Sequence, residues 1–343
     1  IEEKLMIPIC QPDLTEDTVN LAVDSLKAGL ISSQGPQVAQ FESAFAQYMG
    51  CKEAISVTNG TAALHLSLAG LGIQRGDEVI IPNLTFAATA NAVILCGATP
   101  VLAESNAETW MLDPKHTESL ISEKTKAIIP VHLYGQVADI TGFKTAQDRG
   151  IAIIEDAAEA HGAKHSTGKI VGTAGTAGCF SFFANKLMTT GEGGMVTTND
   201  QDLAQKYRKL RDHGMDRSKF YWHDVVGYNY RMTNIQAAMG LGQLKNLNNS
   251  IDRRLEILAV YDEALSSLPI QWAKPSSGTT SVCWLATFCT ETPETRDSLL
   301  QFLRKNEIDA RPGFTALSDL PPFKEFKRDE MPVSQHLAGC LIS

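Results

Sequence analysis

Hydrophobic positions along the first 245 residues fall into two rhythms that take turns. Short apolar runs at 78–82, 100–103, 127–133 and 151–154 predict buried strands, because dense runs of this length fill both faces of a covered sheet. Between them, 87–95 and 140–148 carry helical patterns. Upstream, Glu53 to Thr58 reads as a strand running into Asn59-Gly60-Thr61 and then a helix with Leu64, Leu68 and Leu71 on one face. Strand and helix in alternation predict an α/β fold around a mainly parallel sheet. The pattern changes at Asn234. Leu241, Leu244, Leu247, Ile251, Leu255 and Leu258 recur at helical spacings, predicting a long or broken helix over 234–268 that leads to a smaller domain. Beyond it, 269–280 reads as loop, 298–305 as helix and 308–311 as strand. The expected division is a large α/β domain at 1–245, N-terminal segment included, and a small domain at 246–343. No internal repeat or low-complexity tract interrupts this plan.

Composition narrows the function classes. A chain of 343 residues with 43% hydrophobic content can bury a large core, and its length allows two or three domains. A formal net charge of −9 with no basic cluster argues against nucleic-acid binding as the main task. No apolar run reaches transmembrane length, and the N-terminus lacks a charged leader followed by an apolar stretch, so no membrane partner and a cytoplasmic location are expected. The seven cysteines are scattered and odd in number, which fits reduced core thiols rather than a disulfide framework or a zinc site. His161 and His165 have an i,i+4 spacing, but Gly162 and the lack of an accompanying acid motif speak against a metal pair, and no metal is expected.

The candidate chemistry centres on Cys179 to Val196, C-F-S-F-F-A-N-K-L-M-T-T-G-E-G-G-M-V. Lys186 stands there between an apolar run and a glycine-rich turn, with Ser181 five residues before it. A lysine amine attacks carbonyls when a confined site favours its neutral form, whereas most lysines beside a turn are simply solvated. Three other segments bear on that choice. Ile151 to Asp156 is an apolar run ending in two acids, followed by Glu159 and His161. An acid at the carboxyl end of a parallel strand lies where such sheets bind ligands, so Asp156 either holds a protonated ring nitrogen or caps the following turn. The strand, Asn59-Gly60-Thr61 turn and helix make a phosphate site or an ordinary Asn-Gly turn. In Gly227-Tyr-Asn229-Tyr-Arg231-Met-Thr233-Asn234, Thr233 or Asn234 can cap the long helix, while Asn229 and Arg231 have no obvious structural task.

Together these segments resemble the pyridoxal-phosphate-dependent sugar aminotransferases of the DegT/DnrJ/EryC1/StrS family, within the aspartate aminotransferase fold (fold type I). The motifs are T-N-G-T-A-A-L, G-D-E-V-I-I-P-N-L-T-F, E-D-A-A-E-A-H-G, S-F-F-A-N-K, T-G-E-G-G-M-V and G-Y-N-Y-R-M-T-N, and the resemblance runs from about residue 7 to residue 314. It implies a large domain with a mainly parallel mixed sheet flanked by helices, and a smaller C-terminal α+β domain that in relatives continues beyond the position of Ser343. It also implies roles: Lys186 as the lysine that bonds to the cofactor, Asp156 as partner of the pyridinium nitrogen, and Gly60, Thr61 and Ser181 at the phosphate. Phe86 matches the aromatic residue stacked on the cofactor ring, and Glu159 a position near the phenolic oxygen that is often glutamine in relatives. Asn229 matches the asparagine that reaches the neighbouring subunit's phosphate, which implies a homodimer with shared active sites.

The implied donor is L-glutamate and the implied acceptor a nucleotide-linked keto-sugar, whose diphosphate needs positive charge of the kind Arg231, Arg311 or Lys219 carries. S-F-F-A-N-K, I-S-S-Q-G and Y-W-H-D-V-V-G-Y-N-Y-R-M-T-N resemble the members that aminate C4 of GDP-4-keto-6-deoxy-D-mannose to give GDP-perosamine. Ala184 departs from that subgroup's glycine, and no histidine stands near Ser318. Other 3-keto or 4-keto sugars, or a regulatory role without catalysis, are the alternatives. A nicotinamide oxidoreductase would share the sheet, but G-x-G-x-x-G is missing: Gly70-Leu-Gly72 follows a helix, and Gly172, Gly175 and Gly178 are wrongly spaced. Relatives that dehydrate at C3 carry histidine where this chain has Lys186.

Overall fold

The computed structural model describes residues 6–343, and in it the predicted alternation becomes one large sheet with its crossovers. In chain order the elements are α1 (Glu16–Lys27), α2 (Pro36–Met49), β1 (Glu53–Val57), α3 (Gly60–Gly70), β2 (Glu78–Pro82), α4 (Ala88–Leu95), β3 (Thr99–Ala103), α5 (Pro114–Ser119), β4 (Thr125–Ile128), α6 (Lys144–Asp148), β5 (Ala152–Asp156), β6 (Ala177–Ser181), β7 (Gly194–Thr198) and α7 (Gln201–Arg211). The sheet order is β1-β7-β6-β5-β4-β2-β3. Pairing is parallel from β3 through β2, β4 and β5 to β6, and antiparallel where β7 meets β6 and β1. Both faces are covered, which is why the runs at 78–82, 100–103 and 151–154 are rich in apolar residues. Ile55, Ile154, Cys179 and Val196 join a core with α3 and α7, while Phe180 and Met195, alternating with them, join a second core with α2.

The stretch from 234 to 265 is one continuous helix, α8 (Asn234–Leu265), of 32 residues. Thr233 is its N-cap in a reciprocal capping box with Gln236. Asn234 does something else: buried, it accepts from Gln37 N at 2.9 Å and donates to Leu30 O at 3.0 Å, fixing the loop between α1 and α2. The remaining elements are β8 (Ile270–Trp272), β9 (Phe288–Thr290), α9 (Pro293–Lys305), α10 (Pro332–Cys340) and β10 (Leu341–Ile342), with a small antiparallel sheet ordered β10-β9-β8. Three expectations change here. The loop expected at 269–280 contains β8, a three-residue edge strand too short to show a period of two. The strand expected at 308–311 makes only one isolated bridge, Ile308 with Ile7, and a second bridge, Pro312 with Ile342, falls just beyond it. The run at 127–133 leaves its ladder after Ile128 and turns at Leu133–Gly135, where Tyr134 has a φ of 55°. No helix among the described residues is long and apolar enough to cross a membrane.

One buried carboxylate holds the loop below the sheet edge. Glu155 Oε2 accepts from Nε2 of His165 at 2.7 Å, from Nε2 of His132 at 3.1 Å and from Gly172 N at 2.9 Å. Its Oε1 accepts from Gly175 N at 2.7 Å and Ala174 N at 2.9 Å. His132 Nδ1 receives Ala138 N at 3.1 Å, so the imidazole is neutral with its proton on Nε2. Burial alone would push the Glu155 carboxyl up, but the hydrogen bonds it accepts from both histidines outweigh it and hold the group below the ordinary carboxylate range. Glu155→Gln faces these donors with a second donor, and is expected to cost roughly 2–4 kcal/mol at neutral pH, read as a lower urea midpoint. A folded carboxyl that titrates below its unfolded value stabilises fully above that value, and the stability is lost as pH falls toward the folded one. The gap between wild type and Glu155→Gln should therefore narrow as pH drops below the ordinary value of 4.5. A gap constant down to pH ~3 would overturn the ionised carboxylate.

Candidate active site

Parallel strands bring their carboxyl ends to one edge of the sheet, where open α/β sheets bind ligands. Val57 and Ser181 lie in register on either side of Gly194, and Asp156 pairs with Cys179. The chain leaves β1 through Asn59, whose side-chain oxygen accepts from Ala62 N at 2.8 Å and caps α3. Gly60 opens that helix, and a Cβ on it would lie 2.8 Å from the Ser181 Cβ, so glycine is what lets the turn close on β6. The free N–H groups in the first turn of this 11-residue helix, Thr61 included, stand beside the Ser181 end of β6 with the positive end of the helix dipole.

Lys186 sits in the connection between β6 and β7. Phe182 folds that connection back: its N–H reaches Gly193 O at 2.8 Å, and its carbonyl accepts from Thr190 N and Thr189 Oγ1, each at 3.0 Å. The lysine side chain is only 11% exposed, with Nζ donating to Glu159 Oε1 at 3.3 Å and standing 3.7 Å from the centroid of the Trp284 ring. The solvated reading is thereby excluded. Asp156, buried at the end of β5, accepts from Thr89 Oγ1 at 2.9 Å and Ala158 N at 3.2 Å. Burial pushes its carboxyl above the ordinary value, with Thr89, Ala158 and the Lys186 charge pulling it part of the way back. Burial raises Glu159 as well, against the Lys186 charge and the Tyr134 N–H that reaches its Oε2 at 2.8 Å. His161 is neutral, because burial and then the Lys186 charge push its imidazole down to about 3. Neither of its ring nitrogens has a hydrogen-bond partner among the described residues.

Aromatic rings close the site above the lysine. The planes of Tyr134 and Trp284 are 9° apart with centroids at 6.1 Å, and those of Tyr134 and Phe314 are 12° apart at 5.6 Å. Phe86, 59% exposed, tilts against Phe314 at 5.5 Å and keeps a face open for a stacked ring. Sequence reading singles out neither this group, Phe86 aside, nor Thr89. Thr89 lies three residues past Phe86 in the helix expected at 87–95, so a hydroxyl on its first turn was the available signal. Trp284 has no such signal, because its place is set by tertiary pairing of its N–H with Tyr134 O at 3.3 Å.

Among the described residues, Asn229, Arg231 and Arg311 make no hydrogen bond or ion pair with Lys186, Asp156, Glu159 or Ser181. Asn229 Oδ1 accepts from Arg231 Nε and Nη2, both at 3.2 Å, and Arg231 pairs with Asp212 at 2.9 Å. Their segment is tied to the end of β1 by Thr58 N, which donates to Tyr230 O at 3.0 Å. Arg311 is exposed and pairs with Asp309 at 3.0 Å, and Lys219 lies 5.2 Å above the Trp222 ring. Ser318 is buried, with its N–H on Asn83 Oδ1 at 2.8 Å.

The residues gathered at the edge fit pyridoxal phosphate. A cradle that a Cβ would fill suits a phosphate, and an acid pushed up by burial gains from a cation set against it. Gly60→Ala is expected to weaken pyridoxal phosphate binding by about tenfold or more while leaving the far-ultraviolet spectrum of the fold intact, because the cradle must open to admit the methyl. Titration of the cofactor absorbance measures this, and an unchanged affinity would place the phosphate elsewhere.

Residues 12–343 match the model of the DegT/DnrJ/EryC1/StrS aminotransferase family. GDP-perosamine synthase of Caulobacter vibrioides is 43% identical over 334 residues, 96% of this chain and 90% of that protein. GDP-perosamine synthase of Escherichia coli O157:H7 is 42% identical over 332 residues, with 96% and 90% covered. Among solved structures, Spr1654 of Streptococcus pneumoniae, described as a sugar aminotransferase and solved in its PLP form, superposes with a TM-score of 0.92 at 30% identity over 98% of this chain and 92% of that one. A match that starts at residue 12 and runs through both sheets makes this chain a member of the DegT/DnrJ/EryC1/StrS aminotransferase family.

Proposed function

We propose that this pyridoxal-phosphate-dependent aminotransferase moves an amino group from L-glutamate to C4 of GDP-4-keto-6-deoxy-D-mannose, giving GDP-perosamine. The observation that carries the reading is the similarity to GDP-perosamine synthases at 42–43% identity over 96% of the chain. When bound, pyridoxal phosphate supplies an aldehyde carbon that carries the amino group between donor and acceptor, and a ring that takes up negative charge.

The chain's own residues do the rest. Lys186 holds the cofactor at rest and, once released, moves a proton from the donor's α-carbon and later delivers one to C4 of the acceptor sugar. Its Nζ suits that work because Glu159 and the Trp284 ring confine it within the site. Asp156 keeps a proton on the ring nitrogen, the pairing its buried carboxyl favours. Gly60, Thr61 and Ser181 bind the phosphate, Phe86 stacks on the ring, and Glu159 lies by the phenolic oxygen. Asn229 reaches the phosphate of a second copy, so the working unit is a homodimer, and Arg231 and Arg311 meet the sugar nucleotide's diphosphate.

The test is the absorbance spectrum of the purified holoenzyme. L-glutamate is expected to shift the cofactor band, and GDP-4-keto-6-deoxy-D-mannose to restore it. A shift without restoration would overturn the acceptor assignment while leaving the donor half-reaction intact. Lys186→Ala is expected to lose the covalent cofactor band and to slow turnover by at least about 10³-fold. Persistence of that band would refute the lysine assignment.

A further inference from the structure

The aromatic group over Lys186 shows only carbon to the site. Both of its polar tips are buried inside the protein: Trp284 Nε1 donates to Asn185 O at 2.8 Å, and the oxygen of the buried Tyr134 hydroxyl accepts from Phe314 N at 3.2 Å. Phe314 and Phe86 have no polar atoms in their rings. Lys186 therefore has two unlike flanks, the Glu159 carboxyl at 3.3 Å and the Trp284 ring at 3.7 Å. Building the carbon flank has a cost. A bulky residue with a φ of 55° is strained by roughly 1–3 kcal/mol, and Tyr134 holds that conformation between its N–H bond to Glu159 and its two stacked neighbours. Such strain at a site wall points to function rather than packing alone.

A 4-keto-6-deoxy sugar also has two unlike flanks. The reacting carbon, C4, must come within proton-transfer reach of Lys186 Nζ. On one side of C4 lies C3 with its hydroxyl; on the other lies C5 bearing the C6 methyl. A hydroxyl needs a polar partner, and a methyl needs none. Resting on the acceptor reading above, we infer that Trp284, Phe314 and Tyr134 select the 6-deoxy sugar by giving C6 a wall with no hydrogen-bonding group. A 6-hydroxyl against this wall is buried without a partner, which in apolar pockets is worth about 10- to 100-fold in discrimination.

The experiment compares two ligands that cannot react because both carry a hydroxyl at C4: GDP-D-rhamnose, with a methyl at C5, and GDP-D-mannose, with a hydroxymethyl. Calorimetric titration of the holoenzyme is expected to show GDP-D-rhamnose binding at least about tenfold tighter. Trp284→Gln puts a free amide in the wall and is expected to bring the ratio close to one, while Trp284→Phe, which keeps the wall apolar, retains it. Phe314→Asn, on a half-buried ring that bonds through its backbone, tests the same wall without touching the Trp284 to Asn185 contact. Equal affinities in the wild type, or a ratio unmoved by both Trp284→Gln and Phe314→Asn, would overturn the inference. Failure of both GDP sugars to bind, with the same methyl preference in a dTDP-linked pair, would overturn the GDP assignment and uphold the wall.

Discussion

Asp156 and Glu159 bury two acids in one nearly dry corner, and the ammonium of Lys186 is what makes that arrangement tolerable. The contrast with the preceding residue is instructive. Glu155 and Asp156 are neighbours on one strand and point to opposite faces, yet their carboxyls move in opposite directions. Glu155 has five hydrogen-bond donors and no unmet demand, so it is a fixed part of the frame. Asp156 has two, and burial keeps its charge under-compensated. A fully satisfied acid organises the protein, whereas an under-satisfied one attracts a ligand cation.

The large sheet was legible because its signal is local. β2, β3, β4 and β5 follow from short apolar runs, the crossovers at 87–95 and 140–148 from helical patterns, and the turn at Asn59-Gly60 from two residues that need no tertiary partner to be recognised, whereas β7, G-M-V-T-T, has no apolar run and is placed by its pairing with β6 and β1. Lys186 and Asp156 were legible for a related reason: strand-end positions are set by the strands themselves. The small sheet was less so. β8 and β10 are three and two residues long, and what holds them is pairing with β9 rather than a pattern of their own. The aromatic wall was legible only at Phe86. Tyr134 and Trp284 lie on segments joined by backbone pairing across long sequence separation, and no periodicity in either announces the other.

That wall also shows how the two ends of the chain share one interior. Leu84, Trp110, Val131 and Tyr134 from the first half pack in a single apolar cluster with Trp284, Cys289, Leu337 and Leu341 from the second. Asn83 reaches the same region with hydrogen bonds to Ser318 at 3.1 Å and Ser334 at 2.8 Å. The small sheet is thus bound to the large one through core contacts and satisfied polar groups, close to where the lysine works.

Helix α8 carries a mechanical consequence. Thirty-two residues at about 1.5 Å each make a rod of roughly 48 Å, and α8 contains no proline to bend it. Asn234 clamps one end against the loop between α1 and α2, and about two-thirds of the way along, Arg254 grips the Trp284 carbonyl and the Cys10 thiol. A tilt of the rod about its clamped end therefore moves the carbonyl behind the aromatic wall by an amount set by the lever arm of about twenty residues, or about 30 Å. The segment that holds Asn229 and Arg231 leads straight into the pivot. Stiffness along this one helix ties the position of the wall to the segment at the opposite end of the rod.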